Sequence, residues 1–327
     1  MKRIFSLLVF LPLMTMAQTP KTGSKTLPLI ESITTDTIKG RYQETVFSYD
    51  RFNRLTRIVN RIGYLQKSNN TSSERWVVDT TVMQKFGYVL DQRVPKYKKN
   101  TSYESNGLGS KWIKSTETYY YIYEQGKRVK DSVVEEQISE GKFFKNSFIT
   151  TYEQTDSTLK RLTDFSSRDR SSFYLDYLDF HENVIAEEIG FHEGNHGGET
   201  TNYTYPKFDD KINPFAQLNI APMLTNEKIS FSFEEKELII LNSLKCDGGT
   251  NINWHLFNKN NALQSTIKRD DTASPVKDIN SFRYTYNQYN LPVYCTIYIK
   301  KVFSVYQGTD FKGGLLKHFT FRYKNRF

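Results

Sequence analysis

The most regular pattern along the chain is an aromatic strand end, a polar turn and an aliphatic restart. Aromatic residues two positions apart face the same side of a strand. The Asp, Asn or Gly that follows them favours a tight turn. The segments with this pattern are 47–55, 121–129, 177–185 and 282–291. Each of them predicts a β-hairpin.

Further strand-like runs lie between these hairpins, whereas helical periodicity is rare. Val129, Val133, Val134 and Ile138 fit one face of a helix and equally an irregular strand, and a short helix is expected after Asn213 and Pro214. Short polar connections leave no room for parallel crossovers. The sequence therefore predicts a mostly-β fold, a curved antiparallel meander of many strands. Such a meander forms an open or partly closed barrel or a sandwich, with at most one or two short helices.

The N-terminus has the layout of a secretory signal peptide. Lys2 and Arg3 precede an apolar run at 4–13 that is too short to span a bilayer, and small residues lie around Ala17. We expect an exported protein that is periplasmic, extracellular or associated with the outer membrane. The predicted division of the chain is a signal peptide at 1–17, an N-terminal β-hairpin region at 18–199 and a C-terminal β region, continuous with the first, at 200–327.

Composition and charge narrow the function classes. The 327 residues are 15% aromatic, with 22 Tyr and 23 Phe, which favours strands over disorder. The net charge of +9 is spread along the chain, and the sequence contains no recognisable nucleic-acid-binding motif, so we expect no nucleic-acid partner. The mature chain contains only Cys246 and Cys295, which form one disulfide or remain two buried thiols.

Two parts of the sequence resemble known repeat proteins. The unit at 49–58, which begins Tyr49-Asp50, resembles the tyrosine-aspartate repeat of Rhs-type secreted proteins. The C-terminal third is similar to exported Bacteroidetes proteins of unknown function that are built from degenerate copies of that unit. The matching residues are Tyr205, Asp209, Asp210, Lys211, Asn213, Pro214, Phe215, the Asn-rich stretch 251–261 and the hairpin 284–292. The resemblance implies export and a hairpin-repeat fold, and it brings no assigned activity.

Five short motifs match the acceptor pattern of Bacteroidetes O-glycosylation. They begin at Asp36, Asp79, Asp131, Asp156 and Asp271, each followed by Thr or Ser. The same pairs are also common in ordinary β-turns. The motifs therefore leave open whether they mark modification or turns.

One motif with catalytic spacing is present, His192-Glu193-x-x-His196, which in zinc peptidases supplies two ligands and a general base. That chemistry needs a helix, and the surrounding glycines predict a polar hairpin loop instead. Glu187-Glu188 and Glu234-Glu235 are paired acids, but neighbours on a strand point to opposite faces. We therefore assign no catalytic, cofactor-binding or metal-binding residues and no cofactor, and we expect a non-enzymatic protein.

Three functional hypotheses follow. The first is an exported protein that presents a binding or assembly surface to a glycan or protein partner, with Trp254 in the Asn-rich stretch as a candidate sugar contact. The alternative is a small outer-membrane β-barrel, since Phe319, Phe321, Tyr323 and Phe327 alternate with basic residues as in a last barrel strand. Against it, the rest of the chain lacks eight comparable strands with lipid-clean faces. A zinc-dependent peptidase that uses the 192–196 motif is the third hypothesis.

Overall fold

The chain folds almost entirely into antiparallel strands. The computed structural model describes residues 27–325 except for 39, 68–73, 91, 106–110, 126, 140–141, 156, 166–169, 194–195, 219–227, 234–238, 241–249, 257, 270–275 and 304–312. Within these residues there are nineteen strands and one 3-10 helix, Pro214–Gln217. The strands are β1 (Leu29–Thr35), β2 (Arg41–Tyr49), β3 (Leu55–Lys67), β4 (Glu74–Tyr88), β5 (Pro95–Ser105), β6 (Lys111–Glu124), β7 (Lys127–Ser139), β8 (Lys142–Gln154), β9 (Thr158–Phe165), β10 (Arg170–Leu178), β11 (Val184–Glu193), β12 (His196–Phe208), β13 (Lys228–Phe233), β14 (Ile239–Ile240), β15 (Thr250–His255), β16 (Ala262–Arg269), β17 (Val276–Tyr286), β18 (Pro292–Phe303) and β19 (Gly313–Lys324).

Sixteen of the described strands form one closed barrel. Each strand from β1 to β12 pairs with the next, β12 pairs with β16, pairing continues to β19, and β19 pairs back with β1. All of these pairings are antiparallel, because short turns connect most neighbours. The predicted meander is confirmed, and the sheet closes completely. The expectation that the chain has fewer than eight strands of barrel length was wrong, since sixteen strands form the barrel.

The two regions that were ambiguous in the sequence now have a definite structure. Val129 to Ile138 lie in β7, so their spacing belongs to a strand. The predicted short helix is the 3-10 turn at Pro214–Gln217, where the side chain of Asn213 accepts a hydrogen bond from the N–H of Phe215. The expected division near residue 200 falls within β12, and strands from both sides of it belong to the same barrel. No helix in the described part of the chain is long and apolar enough to cross a bilayer.

Three of the four hairpins recognised in the sequence, at 47–55, 177–185 and 282–291, share one turn geometry. The fourth, at 121–129, has a shorter turn, because Glu124 pairs directly with Lys127. After β2, the N–H of Asp50 donates to the carbonyl of Arg54, and the Asp50 carboxylate accepts the N–H groups of Phe52 and Arg54. Asp179 after β10 and Asn287 after β17 repeat this pattern. The fourth turn residue has a positive φ in each case, at Asn53 (60°), Glu182 (64°) and Asn290 (58°). The conformation is that of a type I turn followed by a left-handed residue, so the aspartate or asparagine directs the chain to reverse.

Tyrosines tie strands together at the end of the barrel where these turns lie, which we call the turn end. The hydroxyl of each donates to a backbone carbonyl at the start of the preceding strand. The four bonds run from Tyr49 to Ile30 (2.7 Å), Tyr88 to Leu55 (2.7 Å), Tyr123 to Pro95 (2.8 Å) and Tyr323 to Pro292 (2.6 Å). Each bond satisfies a carbonyl beside a turn and holds the two strands in register. The tyrosine at the strand end is thus a structural residue of the hairpin.

We predict that Tyr88→Phe lowers the free energy of unfolding by about 1 kcal/mol, because the hydroxyl that satisfies the Leu55 carbonyl is lost. Tyr120→Phe is the matched control, since Tyr120 lies on the outer face and is 48% exposed. The measurement is denaturant unfolding of both variants and of the unmodified protein under the same solution conditions. Equal unfolding midpoints for the two variants would contradict a role for the tyrosine bonds.

Candidate functional site

A segment of the chain fills part of the barrel interior. Between β12 and β16 the chain forms the 3-10 helix, β13, the two-residue strand β14, which pairs with β19 of the wall, and β15. We call the 3-10 helix, β13 and β15 the plug. β13 and β15 pair only with each other. The plug contacts β2, where Gln43 Nε2 donates to the Ser232 carbonyl, and also β11, where Lys228 Nζ lies 3.0 Å from Glu187 Oε1. Because β2 and β11 are at least seven strands apart around the closed wall, a segment that touches both lies inside.

Trp254 is the centre of an aromatic cluster between the plug and the wall. Its ring lies 4.9 Å from Phe319, 6.0 Å from Phe321 and 6.2 Å from Phe282, and it contacts Phe231 of the plug at 5.8 Å. The indole N–H donates to the Tyr284 hydroxyl at 3.0 Å. With only 5% of its surface exposed, Trp254 does not present a sugar-stacking face. The expectation that it contacts a glycan was wrong, because the ring is used in the core.

Asparagines anchor the ends of the plug at the turn end. The side chain of Asn183 accepts the N–H groups of Lys259 and Asn260 at 2.9 and 3.0 Å, and Asn258 accepts the N–H of Val184 at 2.8 Å. At the other anchor, the Asp209 carboxylate accepts the N–H of Asn261 at 3.0 Å and the Tyr286 hydroxyl. Residues 258–261 of the Asn-rich stretch therefore form hydrogen bonds to wall strands and their turns, some through backbone N–H groups and some through side chains.

A buried ion pair connects the plug to the opposite wall. Lys228 Nζ bonds Glu187, whose side chain is fully buried, and Asp176 faces the same interior position from the neighbouring strand. His255 of the plug is also buried, and its Nε2 lies 2.9 Å from the Tyr205 hydroxyl. Burial lowers the pKa of His255 to about 4, so the ring is neutral at pH 7. Glu188, next in sequence, points outward, as the strand period predicts.

The wall from β4 to β8 has a polar inner face. Directly paired residues of antiparallel strands point to the same side, so Gln84, Asn100, Glu117, Glu135 and Asn146 share the face of the buried Phe86. Asn100 bonds Glu117 at 3.3 Å, and Asn146 bonds Glu135 at 3.4 Å. All five remain partly accessible. This side of the interior is lined by amides and carboxylates.

The outer face of the barrel wall carries exposed apolar side chains at two levels. Near the turn end is a lower belt, formed by Tyr97, Tyr120, Ile122, Tyr177 and Tyr294. Near the far end is an upper belt, formed by Leu65, Trp76, Val78, Ile113, Ile138 and Phe143. Between the belts on β4 to β8 the outward residues include Met83, Thr101, Thr116, Thr118, Ser132, Val134, Ser147 and Ile149. The outer face therefore combines apolar ends with an almost uncharged middle.

Most outward charges lie within three residues of a strand end, as Lys130, Lys145 and Arg283 do. Among the described residues, three outward charges lie deeper in their strands: Lys99, Glu188 and Arg61. Arg61 forms an ion pair with Glu44 at 3.5 Å.

The remaining sequence-predicted residues are placed as follows. The 192–196 motif belongs to a hairpin, in which His192 and Glu193 end β11 and His196 begins β12, so the predicted hairpin is confirmed. The described residues contain no group of three His, Cys, Asp or Glu that could hold a metal. Cys295 is buried. The signal peptide, Cys246, Glu234-Glu235, Phe327 and the motifs that begin at Asp156 and Asp271 lie wholly or partly outside the described residues.

The last strand faces the opposite way from the barrel signature to which its sequence was compared. Phe319 and Phe321 pack against Trp254 inside the barrel, whereas Arg322 lies on the outer face. The plug explains this orientation, because it supplies an apolar partner for the inner face. Sequence reasoning missed Lys228 and noted Glu187 only as one of two neighbouring acids, without a role. The two side chains meet only through the tertiary structure. No local pattern in the sequence marks them.

Comparisons with known proteins give similarity at the level of the fold. No family model matches the chain, and no curated protein matches it. The chain is similar to a porin-like protein from Bacteroides uniformis, with a TM-score of 0.49 and 10% identity over 90% of this chain and 96% of that one. It is also similar to a porin-like protein from Bacteroides vulgatus, with a TM-score of 0.48 and 12% identity over 91% and 99%. The closed barrel itself is assigned from the strand pairing of this chain.

We predict that Trp254→Ala loosens the plug and leaves the barrel closed. Removing a buried tryptophan costs about 3–5 kcal/mol, and here the lost contacts lie between plug and wall. Hydrogen exchange should accelerate at least tenfold in β13 and β15 while β5 to β7 stay protected. Trp76→Ala, on the outer face, is the control. Unchanged exchange in β13 would show that other contacts hold the plug.

We predict that Lys228→Met destabilises the protein by about 3–5 kcal/mol, because it leaves the buried Glu187 carboxylate without its partner. The double variant Lys228→Met/Glu187→Gln should recover most of this loss. Denaturant unfolding of both single variants and the double variant gives the coupling energy. Additive losses would mean that the ion pair does not connect plug and wall.

Proposed function

We propose that the protein is a plugged outer-membrane β-barrel. The observation that carries this proposal is the arrangement of the two faces along β4 to β8: aromatic belts outside with an almost uncharged band between them, and amides and carboxylates inside. This is the distribution of a barrel that faces lipid outside and water inside. Closure supports it as well, because a bilayer tolerates strands only when no edge is left unpaired.

The separation of the belts agrees with the thickness of a membrane. Trp76 of the upper belt lies eleven residues along β4 from Gly87, which pairs with Tyr97 of the lower belt. At about 3.3 Å per residue and a strand tilt of roughly 40°, this corresponds to about 28 Å along the barrel axis. The apolar band of such barrels is about 25 Å tall. The tyrosines of the lower belt and Trp76 of the upper belt suit the two membrane interfaces.

The plug supports a restricted role for the interior. A barrel of sixteen strands is wide enough for an aqueous channel. Here the core around Trp254 occupies the side formed by β17 to β19 and by β1 to β3, and near the turn end it extends to Phe86 of β4 and Tyr121 of β6. The polar inner face of β4 to β8 stays accessible. We infer that passage of solutes, or docking of a partner at the plug, takes place on that side.

A second candidate is the exported binding protein that works outside the bilayer. The outward Arg61–Glu44 pair, Glu188 and Lys99 favour it, because an arginine at the middle of a lipid-facing wall costs about 2–4 kcal/mol. In this case the belts form the surface that binds the partner. The exported location agrees with the predicted signal peptide in either case.

Charge substitutions on the two faces of β7 distinguish these candidates. Val134 points outward at the middle of the wall and Gln137 points inward. We predict that Val134→Lys destabilises the membrane-inserted barrel by about 2–4 kcal/mol, whereas Gln137→Lys changes stability by less than about 1 kcal/mol. Unfolding in lipid vesicles, read by heat-modifiable migration in gels, gives both values.

Fractionation of the native protein provides the complementary result. The proposed barrel stays in the outer-membrane fraction after washing with urea and migrates differently with and without heating. Recovery of the protein in the soluble periplasmic or culture fraction, with Val134→Lys as stable as the unmodified chain, would establish the second candidate instead.

A further inference from the structure

We propose that the outer wall carries a binding site for one anionic phospholipid in a groove across β3 to β6. Arg57 and Lys85 bind the head-group phosphate, and Val59, Met83 and Ile113 contact an acyl chain. This inference rests on the proposed membrane location and adds a defined ligand and site to it.

The groove is an open depression on the outer face with a volume of about 300 Å³. Arg57, Val59 and Arg61 line it from β3, Met83 from β4, and Trp112 and Ile113 from β6. Val59 and Met83 are paired residues of neighbouring strands, so their side chains lie side by side on the outer face. The groove therefore has an apolar floor with basic residues along the β3 side.

Positive charge is concentrated at the end of the groove nearest the lower belt. Arg57 pairs with Lys85, and Lys85 pairs with Lys99, so three cations lie in one row across three strands. Arg57 also donates to Ser48 Oγ at 3.4 Å. Farther along β3, Arg61 is partly neutralised by Glu44 at 3.5 Å. The row as a whole has an excess of positive charge, and an anionic group complements it.

The depth of the cations matches the position of a lipid head group. Lys99 follows Tyr97 of the lower belt by two residues, and Lys85 precedes Gly87, the partner of Tyr97, by two residues. Long basic side chains at this level extend to the interface while their methylene groups stay in the apolar layer. A lipid with its phosphate at Arg57 and Lys85 extends its chain toward Met83 and Ile113. A zwitterionic lipid lacks the net charge that this row attracts.

The test uses a tryptophan placed at Ile113 as a reporter of the groove. The variant Ile113→Trp, with Trp76→Phe and Trp112→Phe, is reconstituted in phosphatidylcholine vesicles to which lipids with brominated acyl chains are added, either phosphatidylglycerol or phosphatidylcholine. Trp254 is buried in the plug, so quenching by bromine reports the tryptophan at position 113. We expect half-maximal quenching at a several-fold lower fraction of brominated phosphatidylglycerol than of brominated phosphatidylcholine.

Variants assign the preference to the groove. Because each interfacial cation is worth about fivefold in affinity for an anionic lipid, Arg57→Gln/Lys85→Gln should abolish the several-fold preference. Arg283→Gln/Arg322→Gln is the matched control, because it removes two outward cations from β17 and β19 and should keep the preference. Equal quenching by both lipids, or a preference unchanged in the Arg57/Lys85 variant, would overturn the lipid site while the barrel remains inserted. Failure of the protein to float with vesicles would overturn the membrane location and the site together.

Discussion

The aromatic contact between the plug and the wall is the interaction on which the rest of this barrel depends. A closed sheet of sixteen strands is too wide for the side chains of its own wall to fill, so either another segment or water occupies the interior. Trp254 and Phe231 fill one side of the interior and pack against aromatic side chains on the inner face of β17 to β19. Opposite them, the middle of the inner face of β4 to β8 is polar, whereas Phe86, Tyr121 and Val133 are buried on that face nearer the turn end. The asymmetry of the wall thus follows from the position of the plug.

The plug is held by groups that are far apart in the sequence and close together at one end of the barrel. Asn183 in the turn after β10 binds the backbone of 259–260, and Asp209 after β12 binds Asn261 and the Tyr286 hydroxyl. Several residues that carry the resemblance to exported repeat proteins meet here, since Asn213 caps the 3-10 helix and Tyr205 contacts His255. Together these side chains satisfy backbone groups where the chain enters and leaves the interior, because unpaired backbone groups are costly when buried.

The aspartate or asparagine and the strand-end tyrosine that recur in the sequence each have a structural role at the turn end. The aspartate or asparagine accepts backbone N–H groups within the turn, and four strand-end tyrosines bond a carbonyl of the preceding strand. One residue reverses the chain and the other fixes the register. These local rules made the hairpins predictable, and the 3-10 helix after Asn213 was predictable from its cap and proline for the same reason. Of the candidate site, only single residues were visible in this way, and Trp254 was assigned to the wrong environment.

The sequence by itself determined the strands, the turns between them and the antiparallel order of neighbours, because alternation and turn chemistry act over a few residues. It also identified two faces for each strand. Only the tertiary structure decided which face is inside, since that depends on what occupies the interior. Phe319 and Phe321 face inward because the plug packs against them. Tyr97 and Tyr120 of β5 and β6 face outward, because the inner face of their strands lines an accessible part of the interior. Closure likewise depends on the pairing of β1 with β19 at opposite ends of the chain, which no local pattern encodes.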